Sequence, residues 1–106
     1  MTLAIYRCTC DFPKDERFGL TSQIRHSFAS IAANLAEGCG RRSDGEMARF
    51  IQISMGSGAE LSYHLLLSRD LGFLKNTEYS RLDSDLEEVM RMLSSLSQKV
   101  RNALAA

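Results

Sequence analysis

Apolar side chains recur at helical spacing in the second quarter of the chain. They follow one another at steps of four, four, three and four residues, which places them on one stripe of a helix. These positions are Leu20, Ile24, Phe28, Ile31 and Leu35. Gly38 follows, and glycine is the residue that most often ends a helix in the left-handed conformation. The pattern therefore predicts an amphipathic helix that begins at Leu20 and ends at Gly38.

A second helical stripe begins after the turn GCGRRS. Ser43 and Glu46 have the spacing of a capping box, in which each side chain accepts a hydrogen bond from the other residue's backbone amide. Gly72 supplies a stop, with Phe73 placed to pack back on Leu67, so this helix is expected to be about 40 Å long. Its stripe consists of Met47, Phe50 or Ile51, Ser54, Gly58, Leu61 and Leu65.

The centre of this helix contains two glycines, Gly56 and Gly58. A glycine inside a helix costs about 1 kcal/mol of stability relative to alanine. Close approach of a neighbouring backbone, either within the bundle or from another subunit, would offset that cost. We therefore expect a close helix contact at these positions.

Two further helices flank this pair. Residues 2–11 form a short helix that ends at Phe12 and Pro13, because the residue before a proline avoids the helical region. Asn76 or Thr77 caps a last helix with the alternating spacing of a heptad seam. The seam consists of Leu82, Leu86, Val89, Leu93, Leu96, Val100 and Ala103. Short connections make neighbouring helices antiparallel, so the sequence predicts one all-α domain over residues 1–106, an up-down antiparallel four-helix bundle with a short first helix.

Composition limits the classes of function that the chain can have. It has 106 residues, of which 44% are hydrophobic and 25% are charged, as in an ordinary globular domain. Its 13 basic and 13 acidic side chains cancel, which excludes the overall positive field of a small protein that binds any nucleic acid. A nucleic-acid role must therefore rest on a local patch.

The sequence shows no targeting pattern. No stretch approaches the roughly 18 consecutive apolar residues of a membrane-spanning helix, and residues 1–10 lack the pattern of a signal peptide. Cys8, Cys10 and Cys39 are too few for a disulfide framework, as expected in a reducing compartment. We therefore expect a cytoplasmic protein without membrane association.

Catalytic and metal-binding patterns are weak. Glu60 and His64 share a helix face, but a dinuclear bundle site needs a second Glu-x-x-His motif and further carboxylates. Cys8 and Cys10 are two residues apart and point to different helix faces, which disfavours zinc. The serines lack the Gly-x-Ser-x-Gly turn of a nucleophile elbow. We expect no enzyme activity, no metal, no cofactor and no small-molecule substrate.

The turn GCGRRS carries the most suggestive chemistry. Arg41 and Arg42 stand at the amino end of the third helix, whose free amides and dipole favour anions. Arg49 lies one to two turns further on, and Arg25 lies on the second helix beside His26. Arginine can bind phosphate in bidentate geometry. The candidate nucleic-acid contacts are Arg25, Arg41, Arg42 and Arg49.

Ion pairing is an equal alternative for these arginines. Arg41 and Arg42 have acidic neighbours at Glu37, Asp44 and Glu46, and another subunit is a further source of partners. Glu37 lies near the carboxyl end of a helix, where the dipole disfavours a negative charge, so it is a candidate for a structural ion pair. No aromatic side chain accompanies the loop as a stacking platform, which disfavours recognition of single-stranded bases.

Four blocks of the sequence resemble the four-helix-bundle family called 23S-rRNA intervening-sequence proteins. The blocks are FPKDERFGLTSQIR, ANLAEGCGRRSDGE, RFIQISMGSGAEL and LLLSRDLGFL, and they extend over nearly the whole chain. The resemblance implies a homopentamer, with relatives among the accessory proteins of diversity-generating retroelements, which bind RNA and a reverse transcriptase. It implies no established catalytic residues.

The chain departs from this family pattern in two ways. Family members commonly have additional helical turns before the position of Met1, so a truncated or shorter first helix is expected. They also commonly have Arg-Arg where this chain has Arg25-His26, and a proline where it has Ala32. This chain is therefore less basic than its nucleic-acid-binding relatives.

Two functions follow from these residues. The first is a non-catalytic homo-oligomeric scaffold, pentameric by resemblance, that contacts RNA through the four arginines. The second is an assembly module that binds only protein. Oligomer formation is also expected because the third helix and its turn carry more apolar surface than one bundle seam needs. The surplus residues are Met55, Tyr63, Leu66, Leu67, Phe73 and Leu74.

Overall fold

Four α-helices make up most of the chain. The structure, a computed structural model, describes residues 1–16 and 19–105. The helices are α1 (Thr2–Cys10), α2 (Leu20–Cys39), α3 (Asp44–Asp70) and α4 (Asn76–Ala105), with a 3-10 turn at Lys14–Glu16. These two ranges contain no strand, which confirms the predicted all-α class. No helix in them is long and apolar enough to cross a bilayer.

The helices form an antiparallel bundle in which α3 lies between α2 and α4. α1 contacts α2 and α4, and lies diagonally opposite α3. At the rise of an ideal helix, α1 is roughly 14 Å long and α4 roughly 45 Å. α1 therefore covers only the half of the bundle that contains the α3–α4 turn, where Phe12 and Phe73 have ring centroids 5.6 Å apart. The predicted bundle with a short first helix is confirmed.

The predicted heptad seam of α4 forms one wall of the core. Leu82, Leu86 and Leu93 are almost fully buried, and Val89 packs against the same cluster. The cluster also draws on the other helices through Ile5, Ile24, Ile31, Leu61 and Leu65. Ala103, the last residue of the predicted seam, is exposed. The periodicity therefore identified the buried face correctly over most of its length.

The amino ends of α3 and α4 are capped by short side chains and carboxylates. The Ser43 hydroxyl accepts a hydrogen bond from the Glu46 amide at 3.1 Å, which confirms the predicted cap. The sequence predicted Asn76 or Thr77 as the cap of α4. Both residues lie inside the helix, which begins at Asn76, and the residue before it is Lys75. The Glu78 carboxylate accepts from the Lys75 amide at 3.1 Å and closes that end.

The predicted stop at Gly72 is confirmed. Gly72 has a φ of +83°, and it is the only positive-φ residue in the described ranges. Its amide donates to the Arg69 carbonyl at 3.0 Å, while the Phe73 amide donates to the Ser68 carbonyl at 2.9 Å. This pair of hydrogen bonds defines a Schellman motif, which ends α3 and turns the chain toward α4.

The predicted stop at Gly38 is wrong. α2 continues through Gly38 to Cys39, and the capping residue is Gly40, with an ordinary φ of −83°. Gly38 is buried, and a Cβ built on it would lie 2.8 Å from the Cβ of Phe50. The glycine is required because α3 passes too close for a side chain, not because the backbone needs a left-handed residue.

The two glycines in the centre of α3 differ in their surroundings. Gly58 is buried against the Met90 side chain of α4, where an added Cβ would overlap the thioether sulfur. A close helix contact therefore exists at Gly58, as predicted, but the neighbour is a side chain rather than the expected backbone. Gly56 is exposed, with no described atom within 4 Å of an added Cβ.

Fewer apolar side chains of α3 and its turn are exposed in the structure than the sequence predicted. Leu74 is buried, and Met55, Leu67 and Phe73 pack against the core cluster. Tyr63 and Leu66 remain 55% and 40% exposed. Ile53, which lay outside the predicted set, is 43% exposed on the same helix.

Gly38→Ala should lower the free energy of unfolding by roughly 1–3 kcal/mol. The added methyl group meets the Cβ of Phe50 and the backbone of Met47, which cannot move away as a flexible side chain would, and overpacking of this kind outweighs the gain in helix propensity. Urea unfolding followed by circular dichroism measures the change.

Gly56→Ala is the matched control, and it should raise the free energy of unfolding by up to about 1 kcal/mol. The substitution adds the same methyl group at a helical position that faces open space. Equal destabilisation by both variants would contradict the assignment of Gly38 to close packing.

Candidate nucleic-acid interface

Basic side chains gather at the end of the bundle that contains the α2–α3 turn. Arg41 and Arg42 lie between the two helices, and Arg49 lies in the second turn of α3. The carboxyl end of α4 reaches the same end, because α3 and α4 are antiparallel and Gly58 packs on Met90. In this register the last turns of α4 lie beside the first turns of α3.

Phe50 organises two of the arginines. The guanidinium carbon of Arg41 lies 5.0 Å from the centroid of the Phe50 ring, and that of Arg49 lies 5.1 Å from it. Both distances are within the range of a cation–π interaction. The sequence predicted no aromatic side chain at this loop, and Phe50 was assigned only to the core stripe. The Phe50 ring therefore lies near the loop, but the guanidinium groups of Arg41 and Arg49 lie over it.

Glu37 lies beside the same group. Nη2 of Arg41 donates to Oε1 of Glu37 at 2.5 Å, one helical turn away. The pair offsets the unfavourable charge of Glu37 at the carboxyl end of α2. Because the side chains are 40% and 55% exposed, water screens them, and such pairs contribute at most about 0.5 kcal/mol to stability. The pair orients Arg41 more than it stabilises the fold.

Arg42 is exposed and has no ion pair or hydrogen bond within the described ranges. Arg41 uses one guanidinium nitrogen for Glu37, and a guanidinium has five N–H donors. Both side chains therefore retain donors that face solvent at the turn.

Arg25 does not belong to this cluster. It precedes Arg41 by sixteen residues, which is roughly 24 Å along α2. Its Nε donates to the Thr9 hydroxyl at 3.0 Å, and its guanidinium lies 4.7 Å from the centroid of the Tyr6 ring. Arg25 therefore ties α1 to α2. The sequence predicted it as a nucleic-acid contact together with Arg41, Arg42 and Arg49, and the structure places it away from these three residues.

Lys99 and Arg101 are basic residues of the same end that the sequence reasoning missed. Five acids lie in the first half of α4, and no acid occurs from Val89 to Ala105; the five are Glu78, Asp83, Asp85, Glu87 and Glu88. This separation of charge along one helix was visible in the sequence. The position of the basic half of α4 beside the α2–α3 turn follows only from the register of α4 against α3.

Other clusters of reactive side chains are sparse. Nε2 of His64 lies 3.5 Å from Oε1 of Glu60, as their spacing predicted. Within residues 1–16 and 19–105, no group of three His, Cys, Asp or Glu side chains is arranged to hold a metal ion. Cys8, Cys10 and Cys39 are free thiols.

The chain is similar to known proteins in sequence and in fold. The model of one family, described as 23S rRNA-intervening sequence protein, matches residues 1–95. The chain belongs to that family. No curated protein matches it.

A solved structure of a Bacteroides thetaiotaomicron protein is similar in fold, with a TM-score of 0.75 and 24% identity. The similarity covers 79% of this chain and 78% of the other, which is described as a protein of unknown function from the S23 ribosomal protein family.

Arg25→Gln should loosen α1 without unfolding the rest of the bundle. The substitution removes the cation–π contact with Tyr6 and weakens the hydrogen bond to Thr9, which together contribute about 1–2 kcal/mol. Hydrogen exchange followed by mass spectrometry should show faster exchange confined to residues 2–10. Arg42→Gln, at a residue without such partners, should leave exchange unchanged. Equal exchange of α1 in both variants would contradict the assigned role.

Proposed function

We propose that this protein is a non-catalytic, homo-oligomeric scaffold that contacts RNA phosphates at the α2–α3 end of the bundle. The gathering of five basic side chains at that end carries the proposal. They are Arg41, Arg42, Arg49, Lys99 and Arg101, and they exceed the acids of the same end, Glu37, Asp44 and Glu46, by two charges. Since the whole chain is formally neutral, local separation of charge, rather than net charge, would attract a polyanion.

RNA is the polyanion that the comparisons favour. The description of the matched family names an intervening sequence of 23S rRNA. The ring of Phe50 is covered by two guanidinium groups, so it offers little surface for base stacking. We therefore propose contact with the phosphate backbone of folded RNA rather than recognition of base sequence.

The anchored geometry of the arginines supports phosphate contact. Long side chains lose rotamer freedom when they bind, and a guanidinium already held on a ring loses less. Arg41 is held by both Glu37 and Phe50, and Arg49 by Phe50. Arg42 supplies an additional charge at the turn.

Arg41→Gln/Arg42→Gln should weaken binding to a structured RNA and flatten its salt dependence. Each lost phosphate contact reduces the magnitude of the slope of log Kobs against log salt concentration by about 1. The double variant should therefore reduce the magnitude of this slope by about 2 for each subunit that contacts the RNA. Filter binding over a range of salt concentrations measures both quantities.

Arg7→Gln/Arg81→Gln removes the same charge from the opposite half of the bundle and should leave RNA binding nearly unchanged. Equal losses in the two double variants would indicate an effect of net charge only. Absence of binding by the unmodified protein at low salt would refute the RNA contact.

We propose self-association because apolar side chains of α3 stay exposed in the single chain. Ile53, Tyr63 and Leu66 are each at least 40% exposed. Burial of such residues against a second copy would remove apolar surface from water, at about 25 cal/mol per Å². The family resemblance favours five copies.

Tyr63→Glu/Leu66→Glu should dissociate the assembly, because a carboxylate at a buried contact is costly to desolvate. Multi-angle light scattering should give the mass of five 11.8 kDa chains for the unmodified protein and that of one chain for the variant. Leu104→Glu, at an exposed site near the end of α4, is the matched control and should remain assembled. A monomeric unmodified protein would refute the proposal.

A module that binds only protein is the second candidate function, and the exposed apolar residues of α3 favour it. An intact oligomer that does not bind RNA at low salt would support this function over the first.

A further inference from the structure

A cleft separates α1 from the first turns of α4, at the opposite half of the bundle from the basic end. α1 contacts α4 only sparsely, and the hydrogen bond from Sγ of Cys8 to Oε2 of Glu78, at 3.5 Å, bridges them. Residues of both helices line a partly open cleft of about 500 Å³ at this contact. This volume is within the range of small-molecule sites in proteins.

The cleft has an excess of positive charge. Arg7 lines it from α1 and Arg81 from α4. Neither forms an ion pair or a hydrogen bond within the described residues. The one carboxylate on the walls, Glu78, is already engaged, because Oε1 accepts from the Lys75 amide and Oε2 from the Cys8 thiol. The two guanidinium groups are therefore the cationic side chains available to a ligand.

The other walls of the cleft include the polar Thr77, but Leu3, Ala4 and Leu82 give them an apolar part. Leu82 is 1% exposed and forms part of the core, whereas Leu3 is 70% exposed at the rim. A ligand that fills the cavity would cover Leu3 and replace water on an apolar surface. An inorganic anion would leave this part of the cleft empty.

We propose that the cleft between α1 and α4 binds a small organic anion, a carboxylate or phosphate monoester with an apolar body. Arg7 and Arg81 bind the anionic group, and Leu3 and Ala4 contact the apolar body. Guanidinium groups match the geometry of both carboxylate and phosphate. The site uses none of the residues proposed to contact RNA.

Calorimetric titration of the full chain with phenyl phosphate and with hexanoate tests this site, with benzyl alcohol and hexanol as uncharged counterparts. At least one anion should bind, at least about tenfold more tightly than its alcohol, because a hydrogen bond to a charged group strengthens binding by roughly this factor or more. Arg7→Gln/Arg81→Gln should weaken anion binding by a similar factor, while Arg41→Gln/Arg42→Gln should not. Absence of binding by both anions, or equal weakening by the two double variants, would overturn the proposal.

Cys8 provides a second readout that needs no arginine variant. Burial and the neighbouring Glu78 carboxylate raise the pKa of this thiol, so alkylation by iodoacetamide is slow enough to follow. In a Cys10→Ser/Cys39→Ser protein, the anion that binds should slow alkylation of Cys8, and its alcohol counterpart should not. Unchanged alkylation at a saturating anion concentration would place the ligand elsewhere and overturn the proposal.

Discussion

Close packing of α2 against α3 is the interaction on which the other features of this protein depend. The helices approach closely because Gly38 has no side chain opposite Phe50, and because the Ser54 hydroxyl donates to the Ile31 carbonyl of α2 at 2.9 Å. The same approach fixes the Phe50 ring at the turn, between the arginine that follows α2 and the arginine that precedes the ring. The contact between Gly38 and Phe50 therefore both packs α2 on α3 at this end of the bundle and positions the guanidinium groups of the two arginines.

Local signals in the sequence predicted the fold well. The cap at Ser43 and the stop at Gly72 depend on residues within a few positions of one another, and the seam of α4 depends on steps of three and four residues along one helix. The predicted stop at Gly38 is wrong for a physical reason: a glycine that ends a helix and a glycine that admits a neighbouring helix look the same in one sequence. Only the position of Phe50 distinguishes them.

The candidate interface was predictable only in part. Arg41, Arg42 and Arg49 are near one another in sequence and remain so in the structure. Arg25 was grouped with them because it is on the preceding helix, although the length of α2 separates it from the turn. Lys99 and Arg101 join the cluster through the antiparallel register of α3 and α4. That register depends on packing between distant segments, which periodicity alone does not specify.

The shortness of α1 has a consequence for how the bundle opens. α3 packs along α2 on one side and along α4 on the other, whereas α1 is attached by the buried Ile5, the contacts of Arg25 and a single bridge from Cys8. A helix of nine residues has little stability when it is detached. The chain is therefore best described as two cooperative units, a three-helix unit that determines global stability and a terminal helix that unfolds at a lower free energy.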